Sequence, residues 1–178
     1  QELIKNKLTT VQRLELSSDY ITEGHALKGV LKADMENIRS TMEKIDYNTF
    51  EDVVNNIFAA KRIYIIGLRS SMALAEFLGF YLNIILQNVK TVGYGISDIF
   101  EQMINVGEGD LVIGIGFPRY ASRTIDALAF AQDRGATVVA VTDSFLSPLA
   151  ARADYSLIAQ SNMASFVDSL VAPLSVIN

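Results

Sequence analysis

Five short apolar runs constrain this chain most: residues 63–66, 89–92, 111–115, 137–141 and 155–159. They are rich in β-branched residues and do not alternate with polar ones, the pattern of strands buried on both faces. Between most of them lie helical patterns of roughly 10 to 15 residues, and strand–helix–strand repetition builds a parallel sheet with helices on both sides. The expected fold is therefore α/β, a three-layer αβα sandwich around a five-stranded parallel sheet. With strand order 2-1-3-4-5 the winding reverses between the first and third strands, where ligands of such sheets bind.

Local signals refine the elements. From Leu27 through Leu31, Met35, Ile38 and Met42 to Ile45, the apolar spacings trace one stripe on a helix, suited to core or partner packing. Thr49 with Asp52 predicts a capping box opening the next helix. Gly135 predicts a helix C-terminus, and Ser147-Pro148 a further helix start. The chain before about residue 60 contains no strand-like run, and residues 19–24 are polar and predict a linker. Gln1 opens the chain within a helical pattern and Asn178 closes it within another, so a piece of a longer protein is expected.

Composition narrows the chemistry. With 0 cysteines, disulfide and thiolate chemistry are absent, and a single His25 makes a structural zinc site untenable. No cofactor and no metal are expected. A net charge of -5 does not suit a nucleic-acid surface. No signal peptide is visible, and a cytoplasmic protein is expected. The most apolar stretch, residues 72–86, includes Glu76 and Asn83 and falls short of the roughly 20 residues of a membrane span. It predicts a buried or interface helix.

The loops after the first and third strands carry the candidate site. The first reads Gly67-Leu68-Arg69-Ser70-Ser71, the second Gly116-Phe117-Pro118-Arg119-Tyr120-Ala121-Ser122-Arg123-Thr124. Each holds serine and arginine and each precedes a helix. Free amides at a helix N-terminus favour an anion, small hydroxyls admit it, and arginine adds a bidentate bond. Serine and threonine are also the commonest helix caps, so a plain cap and an anion cradle both fit. Gly114-Ile115-Gly116 lies inside a strand and lacks the third glycine of a dinucleotide site. Gly93-Tyr94-Gly95 reads as a turn. Glu76, Glu101, Asp126 and Asp168 show no acid–base spacing and read as helix-surface charges or cap partners.

Residues 61–82, containing "RIYIIGLRSSMALAEFLGFYL", and residues 109–159, "GDLVIGIGFPRYASRTIDALAFAQDRGATVVAVTDSFLSPLAARADYSLIA", resemble a sugar isomerase (SIS) domain. The likeness extends over about residues 25–178. More narrowly they resemble the effector domain of RpiR/MurR-type bacterial transcriptional regulators. The resemblance implies a flavodoxin-like SIS fold that is dimeric and binds phosphosugars. It implies ligand contacts at Ser70 and Ser71, and at Ser122 and Thr124 of a loop that commonly reads S-x-S-G-x-T. Here the first serine of that loop has become Gly116 and the loop is longer. Arg69, Arg119, Tyr120 and Arg123 are added as candidate contacts. Residues 1–24 are expected to end an N-terminal helix-turn-helix domain and its linker, and residues 25–178 to form the SIS domain.

SIS isomerases place a glutamate after the fifth strand to move a proton between sugar carbons. Here residues 160–167 contain no carboxylate, and aldose–ketose isomerisation needs a base within about 3 Å of that proton. A sensor is therefore expected rather than an enzyme: a homodimer or higher oligomer that binds a small phosphorylated sugar or related anion to control DNA binding. The DNA-reading part would lie upstream of Gln1, and no membrane contact is expected. The alternatives are a phosphosugar isomerase using a base from elsewhere, or a dimerisation scaffold with a vestigial pocket.

Overall fold

The computed structural model describes residues 11–12, 26–95, 97–163 and 167–178. Its elements run α1 (Ala26–Lys44), α2 (Tyr47–Ala59), β1 (Ile63–Gly67), α3 (Ser71–Ile85), β2 (Val89–Val92), α4 (Ile99–Gln102), β3 (Leu111–Ile115), α5 (Ser122–Asp133), β4 (Thr137–Thr142), a 3-10 turn (Ala150–Arg152), β5 (Tyr155–Ile158) and α6 (Val171–Ile177). The expected linker, His25 and most of the stretch before it lie outside the described residues. No helix among the described residues is long and apolar enough to cross a membrane.

All strand pairs are parallel and the order is β2-β1-β3-β4-β5. Successive side chains enter opposite layers, so each strand feeds two cores. Ile63, Ile65, Ile113, Val139 and Val141 pack with Val53 of α2 and Leu74, Ala75 and Leu78 of α3. Tyr64, Ile66, Val112, Val138 and Ala140 pack with Ala127, Leu128 and Ala131 of α5 and with Leu149. This is the expected sandwich.

Three local expectations are corrected or sharpened. Asp46, not Thr49, caps α2: its carboxylate accepts from the amides of Asn48 and Thr49 and from the Thr49 hydroxyl. The Thr49 hydroxyl bond comes first in holding the Asp46 carboxyl below the usual carboxylate range. The capping box instead opens α4, with Asp98 and Glu101 reciprocally bonded. Ser147 does accept from the Ala150 amide, but only one 3-10 turn follows. Gly135 ends α5 as expected, at φ 76°, a left-handed conformation natural to glycine.

The stripe on α1 is not core. Leu27, Leu31, Met35, Ile38 and Met42 are exposed, and the buried residues of α1 are Asn37 and Thr41. Asn37 donates to the Asn162 carbonyl at 2.8 Å and accepts from its amide at 3.2 Å. Thr41 Oγ1 accepts from the Gln160 amide, and Asp34 accepts from the Ser169 hydroxyl. Four side-chain bonds thus fix α1 against the segment that follows β5. Asn37→Ala is expected to cost about 1–3 kcal/mol in urea unfolding, because buried bonds are lost. Glu36→Ala, on the exposed face, should stay within about 0.5 kcal/mol of the parent.

Candidate functional site

β1 and β3 lie side by side with Gly67 level with Ile115, so the loops that leave them share one crevice. The crevice is a cavity of about 140 Å³ lined by Leu68 to Ser71 from the first loop, by Ile115 to Arg119 and Ala121 from the second, and by Thr124. Arg69 and Arg119 hold positive φ angles of 58° and 67°. Non-glycine residues are rarely left-handed, and such strain gathers at binding sites. The two turns meet: Arg69 Nη1 donates to the Arg119 carbonyl at 3.3 Å. Arg119 in turn faces Asp168 at 3.8 Å.

Five of the eight candidate residues therefore line the cavity: Arg69, Ser70, Ser71, Arg119 and Thr124. The other three do not line it. Tyr120 donates its hydroxyl to Asp143 at 2.8 Å. Arg123 pairs with Asp98 at the start of α4, and Ser122 is exposed at the first position of α5. The Phe100 amide, and after it Arg123, hold the Asp98 carboxyl below the usual carboxylate range. Asp168 is not a helix-surface charge as the sequence suggested, because it precedes α6 and meets the rim arginine. Glu101 is the cap partner expected of it.

The two helices at the cavity differ from α2 and α4 in how they start, while α6 shares their lack of a side-chain cap bond. α2 and α4 start on an aspartate that accepts their first amides. Ser70 stands at the N-cap of α3 and Ala121 at that of α5, and neither makes a side-chain cap bond. A carboxylate there would repel an anion, whereas bare amides and the positive helix end attract one. Thr124 adds a second signal. It is 1 % exposed, and its Oγ1 is buried without a hydrogen-bond partner. Buried hydroxyls are nearly always satisfied, and this one borders the cavity without a partner from the protein.

At Gly116, where the resemblance implies a serine, a side chain would require Leu149 to shift. A Cβ there would lie 2.7 Å from Leu149 Cδ2, and Leu149 is fully buried beneath the loop. The cavity-lining residues that sequence reasoning missed are mainly Phe117, Pro118 and Ala121. They contribute backbone and wall rather than a chemical signature.

Residues 56–178 match the SIS domain family. An uncharacterized HTH-type transcriptional regulator of Haemophilus influenzae is 30 % identical over 142 residues, covering 80 % of this chain and 48 % of that protein. A second such regulator, from Caldanaerobacter subterraneus, is 33 % identical over 79 residues, covering 42 % of this chain and 28 % of that one. The chain thus spans about half or less of the curated relatives it matches. Among solved structures, the sugar isomerase domain of an RpiR transcription factor from Sphaerobacter thermophilus superposes with TM-score 0.80 at 33 % identity, covering 84 % of this chain and 83 % of that one. The Vibrio vulnificus NanR protein complexed with ManNAc-6P shares the fold, with TM-score 0.73 at 20 % identity over 94 % of this chain and 63 % of that one. By its matching residues and its sheet order, this chain belongs to the SIS domain family.

Proposed function

We propose that this chain is the phosphosugar-sensing part of a DNA-binding transcriptional regulator that works as paired copies. Residues 1–24 would close the DNA-reading domain and its linker, and residues 25–178 would form the sensor. The observation that carries the reading is the cavity between the two switch-point loops, with uncapped helix starts and the unpartnered Thr124 hydroxyl. A phosphate dianion satisfies both: its oxygens accept from amides and hydroxyls together. Arg69 and Arg119 at the mouth supply positive charge, and the sugar would lie toward that rim. The relatives named as regulators, and the structure bound to ManNAc-6P, support the same assignment.

Isomerisation fits less well. A base must reach a carbon-bound proton, and the first carboxylate after β5, Asp168, faces Arg119. Turnover of fructose 6-phosphate by the purified chain would reverse this assignment.

Thermal unfolding against a panel of hexose and N-acetylhexosamine 6-phosphates tests the sensor reading. A ligand at 100 times its dissociation constant adds about 2.7 kcal/mol to stability, a shift of several degrees. At least one sugar phosphate should produce it, the unphosphorylated sugar should not, and Ser70→Ala should weaken it. A panel without any response would remove the reading.

A further inference from the structure

Tyr120 stands between two residues that line the cavity, Arg119 and Ala121, but does not line it itself. Its ring packs against the core beside Ala121. Its hydroxyl donates at 2.8 Å to Asp143, the residue after β4. We propose that Tyr120 and Asp143 are positioning residues: their bond holds the loop after β3 in its anion-binding shape without touching the anion. The proposal rests on the phosphate reading of the cavity.

Asp143 is a firm anchor. Thr142, fully buried at the end of β4, donates to the same carboxylate oxygen at 3.2 Å. The Asp143 carbonyl accepts from Gln160 Nε2 at 3.3 Å, and the Gln160 amide is itself bonded to Thr41 of α1. The loop is thereby tied to the β4 end at two points. Near its start the Gly116 amide donates to the Val141 carbonyl at 3.0 Å, and near its close Tyr120 reaches Asp143.

Between those ties lies the left-handed Arg119. Such a residue keeps its conformation only where its surroundings over-determine it. Its own contacts are loose: its carbonyl accepts from Arg69 at 3.3 Å, and its guanidinium lies 3.8 Å from Asp168. The 2.8 Å bond of the next residue is the shortest of the three. What the turn aims is the start of α5. Ala121 offers no side-chain cap bond, so the backbone alone directs the first amides of that helix and Thr124 within its first turn. A binding constellation tolerates only about 0.5 Å of displacement.

Charge separates positioning from a direct effect. A carboxylate bonded to the cavity's own loop repels an incoming anion. Removing it would therefore strengthen binding if repulsion were its only influence, and weaken binding if it holds the loop.

Calorimetric titration with the hexose or N-acetylhexosamine 6-phosphate that gives the largest thermal shift, and with inorganic phosphate, reads that sign. Tyr120→Phe keeps the ring and should bind about tenfold more weakly, the worth of one hydrogen bond to a charged group. Asp143→Ala should weaken binding to a similar extent. Asp143→Asn keeps an oxygen acceptor without the charge and should bind at least as tightly as the native chain. The double variant Tyr120→Phe, Asp143→Ala should bind no more weakly than either single one, since both remove the same bond. Tyr155→Phe, at the first residue of β5 and so at the other end of the sheet, should leave affinity unchanged. Without ligand, amide hydrogen exchange over residues 117–124 should quicken about tenfold in Tyr120→Phe while β4 keeps its native rates. Unchanged exchange in the loop would overturn the proposal, and so would an Asp143→Ala chain that binds as tightly as the native one or more tightly. If the native chain binds and Tyr120→Phe binds equally well, the positioning role falls alone. If the native chain binds no sugar phosphate, the phosphate reading falls and the positioning role with it.

Discussion

Replacing Thr124 by valine should weaken sugar phosphate binding by roughly 10- to 100-fold while leaving the unliganded protein as stable as before, or more so. The two effects have opposite signs for one reason. In the unliganded chain the Thr124 hydroxyl is buried without a partner, a burial that costs about 1–3 kcal/mol in proteins. Valine keeps the branched shape and removes that cost. In the complex the same hydroxyl would donate to a phosphate oxygen. Hydrogen bonds to charged groups contribute about 1.5–3 kcal/mol, and each 1.4 kcal/mol is tenfold in affinity. Threonine populates two χ1 rotamers in a helix, which lets Oγ1 turn toward an arriving anion. Calorimetric titration with the sugar phosphate that gives the largest thermal shift, together with urea unfolding, measures both effects. Valine that destabilises the chain and leaves affinity intact would show Thr124 to be a packing residue and place the anion elsewhere.

The sheet was legible because its signal is local. The runs at 89–92 and 111–115 match β2 and β3 to the residue, since buried parallel strands are written as unbroken apolar runs. Caps were less legible. Asp46 and Thr49 are both good cap residues three apart, and the choice fell to a carboxylate that binds two amides and the Thr49 hydroxyl together. The turn after Ser147 could not lengthen into a helix because Asp154 is already bonded to Val138 through both its amide and its side chain, which starts β5.

The direction of the α1 row was hidden for a different reason. Its period is written in sequence, but its rotation is set by Asn37 and Thr41, whose partners lie 125 and 119 residues away. The site divides in the same way. The switch-point rule locates both loops from strand order alone. The left-handed arginines and the orphan hydroxyl of Thr124 are products of tertiary packing, and no spacing announces them.

Gly67→Ala should abolish the response to sugar phosphate and lower the stability of the unliganded chain by about 1–3 kcal/mol, the usual cost of overpacking. Gly67 is the last residue of β1, and α3 begins four residues later. A Cβ on Gly67 would lie 2.5 Å from the Ser71 carbonyl oxygen, 2.9 Å from its carbon and 3.2 Å from Ala75 Cβ. The first two are backbone atoms in the first turn of α3 and cannot rotate aside, so the helix start itself must move. That start carries Ser70 and Ser71 into the cavity, and a binding constellation tolerates only about 0.5 Å of displacement. Gly29→Ala is the control: a Cβ there meets nothing within 4 Å, and alanine for glycine inside a helix should stabilise by about 0.5–1 kcal/mol. Thermal unfolding of both variants, with and without the sugar phosphate, reads the two effects together. If Gly67→Ala unfolds at the parent temperature and still responds fully to ligand, the first turn of α3 is not the anion's seat.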